Sequence, residues 1–364
     1  MNLKSNCKYA LACITSMGVR LTPENRQTVQ DSTRFFMQAS SAETNALNIA
    51  SSLGMKTLAM TNFVRESPVA AFIRRQLKMR GIDFTGREIS QEGPWGYRHQ
   101  FNIADSGEGL RMPRVWNDRA GEAGQLLSAS DFDFDKIFRE DGVQILHLSG
   151  LIAAVSPSAA DCCLQAAKAA SEAGTLVSFD LNYRASLWEG RKEELLPVFT
   201  QLAALSDIME GTDEDYCFCL DLPEKHLRGC GSKPVKEGSE GDFERYRNIL
   251  NEVRYRFPKA KVMALPFRVM VNAAEHLVGD CLWAEGGWYT ENYRRIPVTD
   301  CIGTGDAMTG GLLYAVLKGM PKEKWLPVAV SCGALACSSL TDYAVPADER
   351  QLEEIYGGGR DLDR

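Results

Sequence analysis

Apolar and polar positions follow two rhythms along this chain. Val143–Ser149 (VQILHLS) is a short apolar run closed by Gly150, as expected of a strand buried on both faces. Ser156–Ala173 is alanine-rich with apolar positions at helical spacing, and Gly174 stops it. Thr175–Asn182 (TLVSFDLN) predicts a second strand and Arg191–Leu205 a second helix. Residues 206–211 (SDIMEG) predict a short strand, Asp213–Leu220 a short helix and Phe243–Phe257 a longer one. Lys261–Phe267 predicts a strand after Pro258. The opening MNLKSNCKYALACITSMG has an apolar core that is short for a leader and ends on a polar residue, so it predicts a first strand, Lys8–Thr15. Repeated strand–helix units of this size specify an α/β fold with a central, mostly parallel sheet flanked by helices.

Two segments depart from this rhythm. Gly81–Gly124, carrying QEGPWGYRHQFNIAD and RMPRVWNDRAG, alternates with few helix signals, and residues 16–38 look similar. They predict antiparallel strands outside the main sheet. The expectation is one domain over 1–364, with about 16–38 and 84–124 forming a small β lid. Leu222–Asp242, with four glycines and mixed charge, predicts a mobile surface insertion.

Composition narrows the function. At 364 residues the chain suits one large or two modest domains, and 45% apolar content supplies a core. The net charge of −7 argues against nucleic acid or an anionic membrane as the main partner, while leaving room for a local basic pocket. No apolar run is long enough to span a bilayer. Eleven cysteines without metal-ligand or disulfide-frame spacing predict reduced thiols in a cytoplasm.

Residues 299–314 read TDCIGTGDAMTGGLLY. Helical periodicity from about Ala307 to Leu317, stopped by Gly319, puts Gly303 and Gly305 at a helix N-terminus. There the first amides lack intrahelical partners, the macrodipole is positive, and glycine lets an anion approach closely. Asp306 is the odd residue in such a turn. Either it caps the helix, or it takes a proton from a hydroxyl that attacks the bound phosphate. No GK[ST] follows, so this is not a Walker loop, and it lacks the dinucleotide fingerprint.

The stretch resembles the C-terminal signature DxxGxGDxxxxG of the ribokinase-like (PfkB) carbohydrate kinases, with Asp300, Gly303, Gly305, Asp306 and Gly311 in place. VSFDLNYRASLW (177–188) resembles the 2-keto-3-deoxygluconate kinases of that family. SAETNALNIASSLG (41–54), NDRAGEA (117–123), DFDFDKIF (131–138) and LHLSGL (146–151) are similar in sequence and order. The resemblance implies a ribokinase-like fold, MgATP as phosphoryl donor, and a keto-deoxy sugar acid phosphorylated at its 6-hydroxyl. It makes the backbone of Gly303, Thr304 and Gly305 an anion hole and Asp306 the base. Arg184 and Arg119 would hold the acid's carboxylate, since a guanidinium fork pairs with it; a surface ion pair is the plain alternative for Arg184. Asp180 and Asn182 share that strand end, where ligands of open α/β sheets gather. Asn45 and Glu43 face the sugar or merely cap a helix; Tyr97 covers the sugar or merely packs. Arg268 and Thr212 fall to the nucleotide, and Glu214 and Asp215 to magnesium through water. Asp342 lies where relatives carry an active-site aspartate. A homodimer through the lid is also implied.

Several family positions differ. Ser40 and Ser41 replace a glycine pair, Thr15-Ser16 a Gly-Glu pair, and Thr212 an amide in the NxxE stretch; RESPVA, with Arg65 and Glu66, stands for GDNPLG, and Asn117 for a tyrosine. The alternatives to a sugar-acid kinase are a kinase for a fructose- or ribose-like sugar, or a catalytically weakened paralogue that binds a ligand.

Overall fold

In a computed structural model, residues 1–227 and 240–358 are described. Nine strands form one sheet in the order 287–297, 275–284, 262–272, 208–210, 176–180, 143–149, 9–14, 57–60, 82–85. From Val262–Asn272 to Ile82–Thr85 every neighbour is parallel, and the last two strands add an antiparallel hairpin at the other edge. Tyr9–Ile14 is central, so its side chains are buried on both faces. Ala12 and Ile14 enter the core shared with helices Pro157–Glu172, Lys192–Leu205 and Glu240–Arg256. Leu11 and Cys13 enter the opposite core, with helices Ala42–Ser52, Pro68–Met79, Thr304–Leu317 and Trp325–Cys337. Two buried faces explain why this strand and Val143–Ser149 read as unbroken apolar runs.

Local chemistry places the helix ends. Ser156 caps Pro157–Glu172 by accepting from Ala159 N–H, Pro157 opens it, and Gly174 leaves it at φ 78°. Ser41 caps Ala42–Ser52 in the same way, through Thr44 N–H.

A second, four-stranded sheet has the order 35–40, 18–23, 100–105, 114–118. Two expectations change here. Ile82–Thr85 belongs to the main sheet, parallel to Thr57–Met60, and not to the smaller one. The small sheet is mixed, because Gly18–Leu21 pairs parallel with Gln100–Ile103, while its outer pairs are antiparallel. Part of the expected insertion, 228–239, lies outside the described residues. No helix among the described residues is long and apolar enough to cross a membrane. The ten described cysteines are all free thiols.

Candidate active site

The helix Thr304–Leu317 begins beside the carboxyl ends of the parallel strands. Gly303 is its N-cap at φ 81°, ψ 0°, and no side chain caps the helix, so Asp306 is not a cap. Gly303 needs to be glycine twice over. Its φ is left-handed, and a Cβ would lie 1.8 Å from the Asp342 carbonyl oxygen. The first helical bond, Ala307 N–H to Gly303 C=O, spans 2.9 Å, so the Gly305 and Asp306 amides precede it as open donors. A Cβ on Gly305 would meet nothing within 4 Å, so the approach to these amides is clear. The other two glycines of the stretch serve packing. Gly310 lies against the Ala46 carbonyl and Gly311 against Ala329, bringing helices Ala42–Ser52 and Trp325–Cys337 close to this one.

Asp306 is half-buried, and Asn45 Nδ2 donates to its Oδ2 at 2.9 Å. Burial pushes the Asp306 carboxyl up to about 7; the Asn45 bond opposes the rise, Asp180 and Asp342 add repulsion, and Arg184 counters it. Asn45 thus touches this carboxyl, and Asp180, Asp342 and Arg184 lie near enough to act on its charge. Arg184 is exposed, and its Nη1 donates to its neighbour's carbonyl, Tyr183 O, at 2.7 Å. Asp180 ends its strand in register with Glu210. Burial, helped by Asp215, pushes Asp180 to about 7. Asn182, at φ 41°, folds back to donate its N–H and Nδ2 to the two oxygens of Asp180 at 3.0 and 3.1 Å.

The remaining predicted residues divide by what they touch. Ser40 Oγ donates to Asp342 Oδ2, and Ser41 is a helix cap. Glu43 accepts from Thr15 Oγ1 at 2.6 Å and from Ser149 Oγ. Arg119 Nη1 donates to both oxygens of buried Glu122, at 3.1 and 2.9 Å, and Ser16 Oγ reaches Glu122 at 3.4 Å. The hydroxyls at positions 15, 16 and 40 thus have carboxylate acceptors within the fold. Tyr97 packs against Val64, Ile89 and Ala123. Thr212 caps Asp213–Cys219, and Asp215 accepts from Thr212 N–H and Oγ1 at 2.6 and 2.8 Å and from Tyr183 N–H at 2.7 Å. Glu214 is exposed, and its carboxyl is raised by burial of its inner part and by Asp213 and Asp215. Arg268 is exposed on Val262–Asn272, close enough to oppose the burial-raised pKa of Cys301, beside the glycine turn.

Sequence reasoning passed over two buried acids behind the site. Burial pushes Glu210 up to about 8, with Thr309 bonded to it, and pushes Asp280 up to about 7. Each is an acidic residue beside buried apolar positions of its strand, the signal that marks them in retrospect.

The model of the family described as "pfkB family carbohydrate kinase" matches residues 4–238 and 280–348. A 2-dehydro-3-deoxygalactonokinase from Haloferax volcanii is 24% identical over 95% of this chain and 96% of its own. The crystal structure of 2-dehydro-3-deoxygluconokinase from Thermotoga maritima superposes with a TM-score of 0.83 at 24% identity, covering 96% of this chain and 99% of that one. A putative ribokinase II from E. coli in complex with ATP and Mg²⁺ superposes at 0.72 with 15% identity, covering 96% and 99%.

Proposed function

The chain belongs to the PfkB family of carbohydrate kinases and has its ribokinase-like fold; on that premise we propose that it moves the γ-phosphoryl group of ATP to the 6-hydroxyl of a 2-keto-3-deoxy sugar acid, 2-keto-3-deoxygluconate first among them. The observation that carries this reading is Asp306, a carboxyl whose pKa is raised to about 7 at the open mouth of a helix, with the exposed Arg184 near enough to act on its charge. The names of the two deoxy-sugar-acid kinases in the comparisons support the acceptor class.

In this reading Asp306, once ionised, takes the proton of the acceptor hydroxyl as that oxygen attacks. The Gly303–Gly305 backbone meets the equatorial oxygens of the phosphoryl group, where charge builds during transfer. Arg184 draws the acceptor's carboxylate to the site by a charge-assisted bond. Arg119 is already paired with Glu122, so its part is to hold the cleft wall at 118–122. Asn45 orients Asp306, and Asn182, Ser40, Ser41 and Tyr97 shape the pocket around them. Arg268 and the Thr212 turn flank the nucleotide's approach.

MgATP supplies the phosphoryl group and a cation that shields its charge. Among the described residues no three His, Cys, Asp or Glu side chains are arranged to cage a metal. That fits magnesium, which keeps several waters and rides on phosphate oxygens. Both oxygens of Asp215 are engaged within the chain, so Glu214 is the carboxylate of the pair that would hold a hydrated cation through water. The small sheet acts as a lid on a single-domain body and pairs with a second copy; the free thiols fit a cytoplasmic enzyme.

A coupled assay with ATP and Mg²⁺ over sugar acids and neutral sugars tests the reading. Turnover should favour the acids, and Arg184→Ala should raise KM for them about tenfold or more while leaving neutral sugars unchanged. Preference for fructose or ribose, or an unaltered KM in the variant, overturns the acid assignment. A thermal shift with sugar acid but no transfer points to the binding-only paralogue.

A further inference from the structure

Arg20 has no part in the chemistry above, yet it is tied into the same turn. It sits in the small-sheet strand Gly18–Pro23 and is 1% exposed. Its Nη2 donates to Asp300 Oδ2, and Ser106 Oγ donates to the same oxygen at 2.6 Å. The other oxygen of Asp300 accepts from Ile302 N–H at 3.0 Å. Asp300 is wholly buried and lies three residues before Gly303.

The neighbouring strand repeats the pattern from another side. Gln38 stands directly across from Arg20. Asp342 N–H donates to Gln38 Oε1 at 3.2 Å, Gln38 Nε2 donates to Leu340 O at 3.3 Å, and Ser40 Oγ donates to Asp342 Oδ2. The Asp342 carbonyl is the group Gly303 packs against. Two polar side chains at one register of the small sheet thus reach the two acids that bracket the glycine turn. A buried ion pair is a weak source of stability compared with apolar packing, while loss of one partner is strongly destabilising. Such a pair suits the setting of a geometry. Arg20 Nε and Nη1 take no protein acceptor, so the guanidinium is committed to Asp300 alone.

We propose that Arg20 is a positioning residue for phosphoryl transfer. By clamping Asp300, which itself holds the Ile302 amide, it sets the Gly303 and Gly305 amides where the moving phosphoryl group meets them, and it makes that geometry depend on the seating of the small sheet. It touches neither substrate. The inference rests on the kinase reading for its kinetic consequence, and on the structure alone for the clamp.

The test compares Arg20→Lys, Arg20→Met, Asp300→Asn and the double variant Arg20→Met/Asp300→Asn. The double variant leaves no buried charge unpaired, so it covers the case in which Arg20→Met fails to fold. Near-UV circular dichroism checks folding in each. Every folded variant should lose about tenfold to a hundredfold in kcat, with KM for the acceptor changed far less. Lysine should not rescue, because a single ammonium does not reproduce the guanidinium geometry. The double variant should be no worse than the worse single one, since both act through one link. Hydrogen exchange supplies the second readout. Amides 300–305 should exchange faster in the double variant, while helix Trp325–Cys337 keeps its protection. Wild-type kcat in a folded Arg20→Met or double variant overturns the proposal, as do fully additive losses. If the wild-type protein phosphorylates no acceptor, the kinase reading falls, and exchange alone decides the clamp: unchanged exchange at 300–305 overturns it.

Discussion

Asn45 donates its side-chain amide to Oδ2 of Asp306 across 2.9 Å, joining the first turns of two helices that are 261 residues apart in the chain. Its second polar atom, Oδ1, is buried without a protein partner. The bond favours the ionised carboxyl while burial favours the acid, and the balance lies near pH 7. The ionised form is the one that accepts a proton, so kcat should rise with pH to a plateau above about 7. Asn45→Ala removes a bond that favours ionisation. The rising limb should move up by about one unit, with about tenfold less activity below the plateau. Asp306→Asn should lose nearly all turnover at every pH with the fold intact. A pH–rate profile of the three proteins checks this, and an unmoved limb in Asn45→Ala shows that the amide has no hold on the base.

Gly303 and Gly305 should separate stability from catalysis. Gly303→Ala forces a left-handed φ on an L-residue and drives its Cβ to 1.8 Å from the Asp342 carbonyl oxygen. Both the melting temperature and kcat should fall, the latter by about a hundredfold or more. Gly305→Ala meets no protein atom within 4 Å, so the fold should keep its melting temperature. Its methyl group instead stands in the approach to the open amides, and activity should drop by about tenfold or more. Thermal melts beside kinetics distinguish the pair. Equal loss of stability in both would mean that the turn is only structural.

The glycine turn was legible in sequence because its logic is local: residues within one turn of a helix supply both the amides and the carboxylate. Val143–Ser149 was legible to the residue for a similar reason, being an apolar run between polar and glycine punctuation. Ile82–Thr85 was not, since alternation does not say which sheet a strand joins, and its partner Thr57–Met60 is chosen by the packed helix between them. The hairpin of Glu275–Ala284 and Gly287–Pro297 escaped as well, because the helix rhythm that frames the other strands is missing there. Among site residues, Arg20 stands 280 positions from Asp300, and nothing around either residue announces the other. The partners of Ser40 and Ser41 were not legible either: the Ser40 hydroxyl bonds Asp342 and that of Ser41 caps a helix. The Ser40 hydroxyl finds its acceptor 302 positions along the chain, whereas that of Ser41 serves Thr44 within its own helix turn.

Glu210 and Asp280 should make stability fall with rising pH. Both are almost fully buried, 4% and 3% exposed, and each keeps one oxygen without a protein partner. Burial raises them to about 8 and about 7, against about 4 in an unfolded chain. Between those values the folded chain holds more protons than the unfolded one, so stability is greatest below about pH 4–5 for these two groups and is lost as pH climbs through 7 and 8. Carboxylates that prefer the ionised state act in the opposite sense at the acid end, which places the highest melting temperature near pH 5–6. Glu210→Gln, which is neutral at every pH, should flatten the decline between pH 6 and 8.5. A melting temperature that rises over that interval would show these carboxyls to be ionised in the fold.

The outer strands of the small sheet carry their own prediction. Phe36 and Met37 on one edge are 42% and 40% exposed, and Val115 and Trp116 on the other are 47% and 43% exposed. Edge strands with large apolar side chains invite pairing with another chain, and proteins that stay monomeric usually place charge there. The strand Arg114–Asp118 is exposed at every residue and presents its outer edge unpaired in the sheet order. A second copy of the chain, docking small sheet to small sheet, would cover these apolar side chains. The protein should therefore sediment as a dimer at micromolar concentration. Phe36→Lys with Trp116→Lys should yield a monomer whose melting temperature changes little, because neither side chain belongs to the core of the protomer. The acceptor's KM should rise in that monomer if docking steadies the sheet over the cleft, and kcat should fall with it if the clamp on Asp300 loosens. A wild-type monomer, or a dimer that survives both lysines, removes the small sheet as the interface.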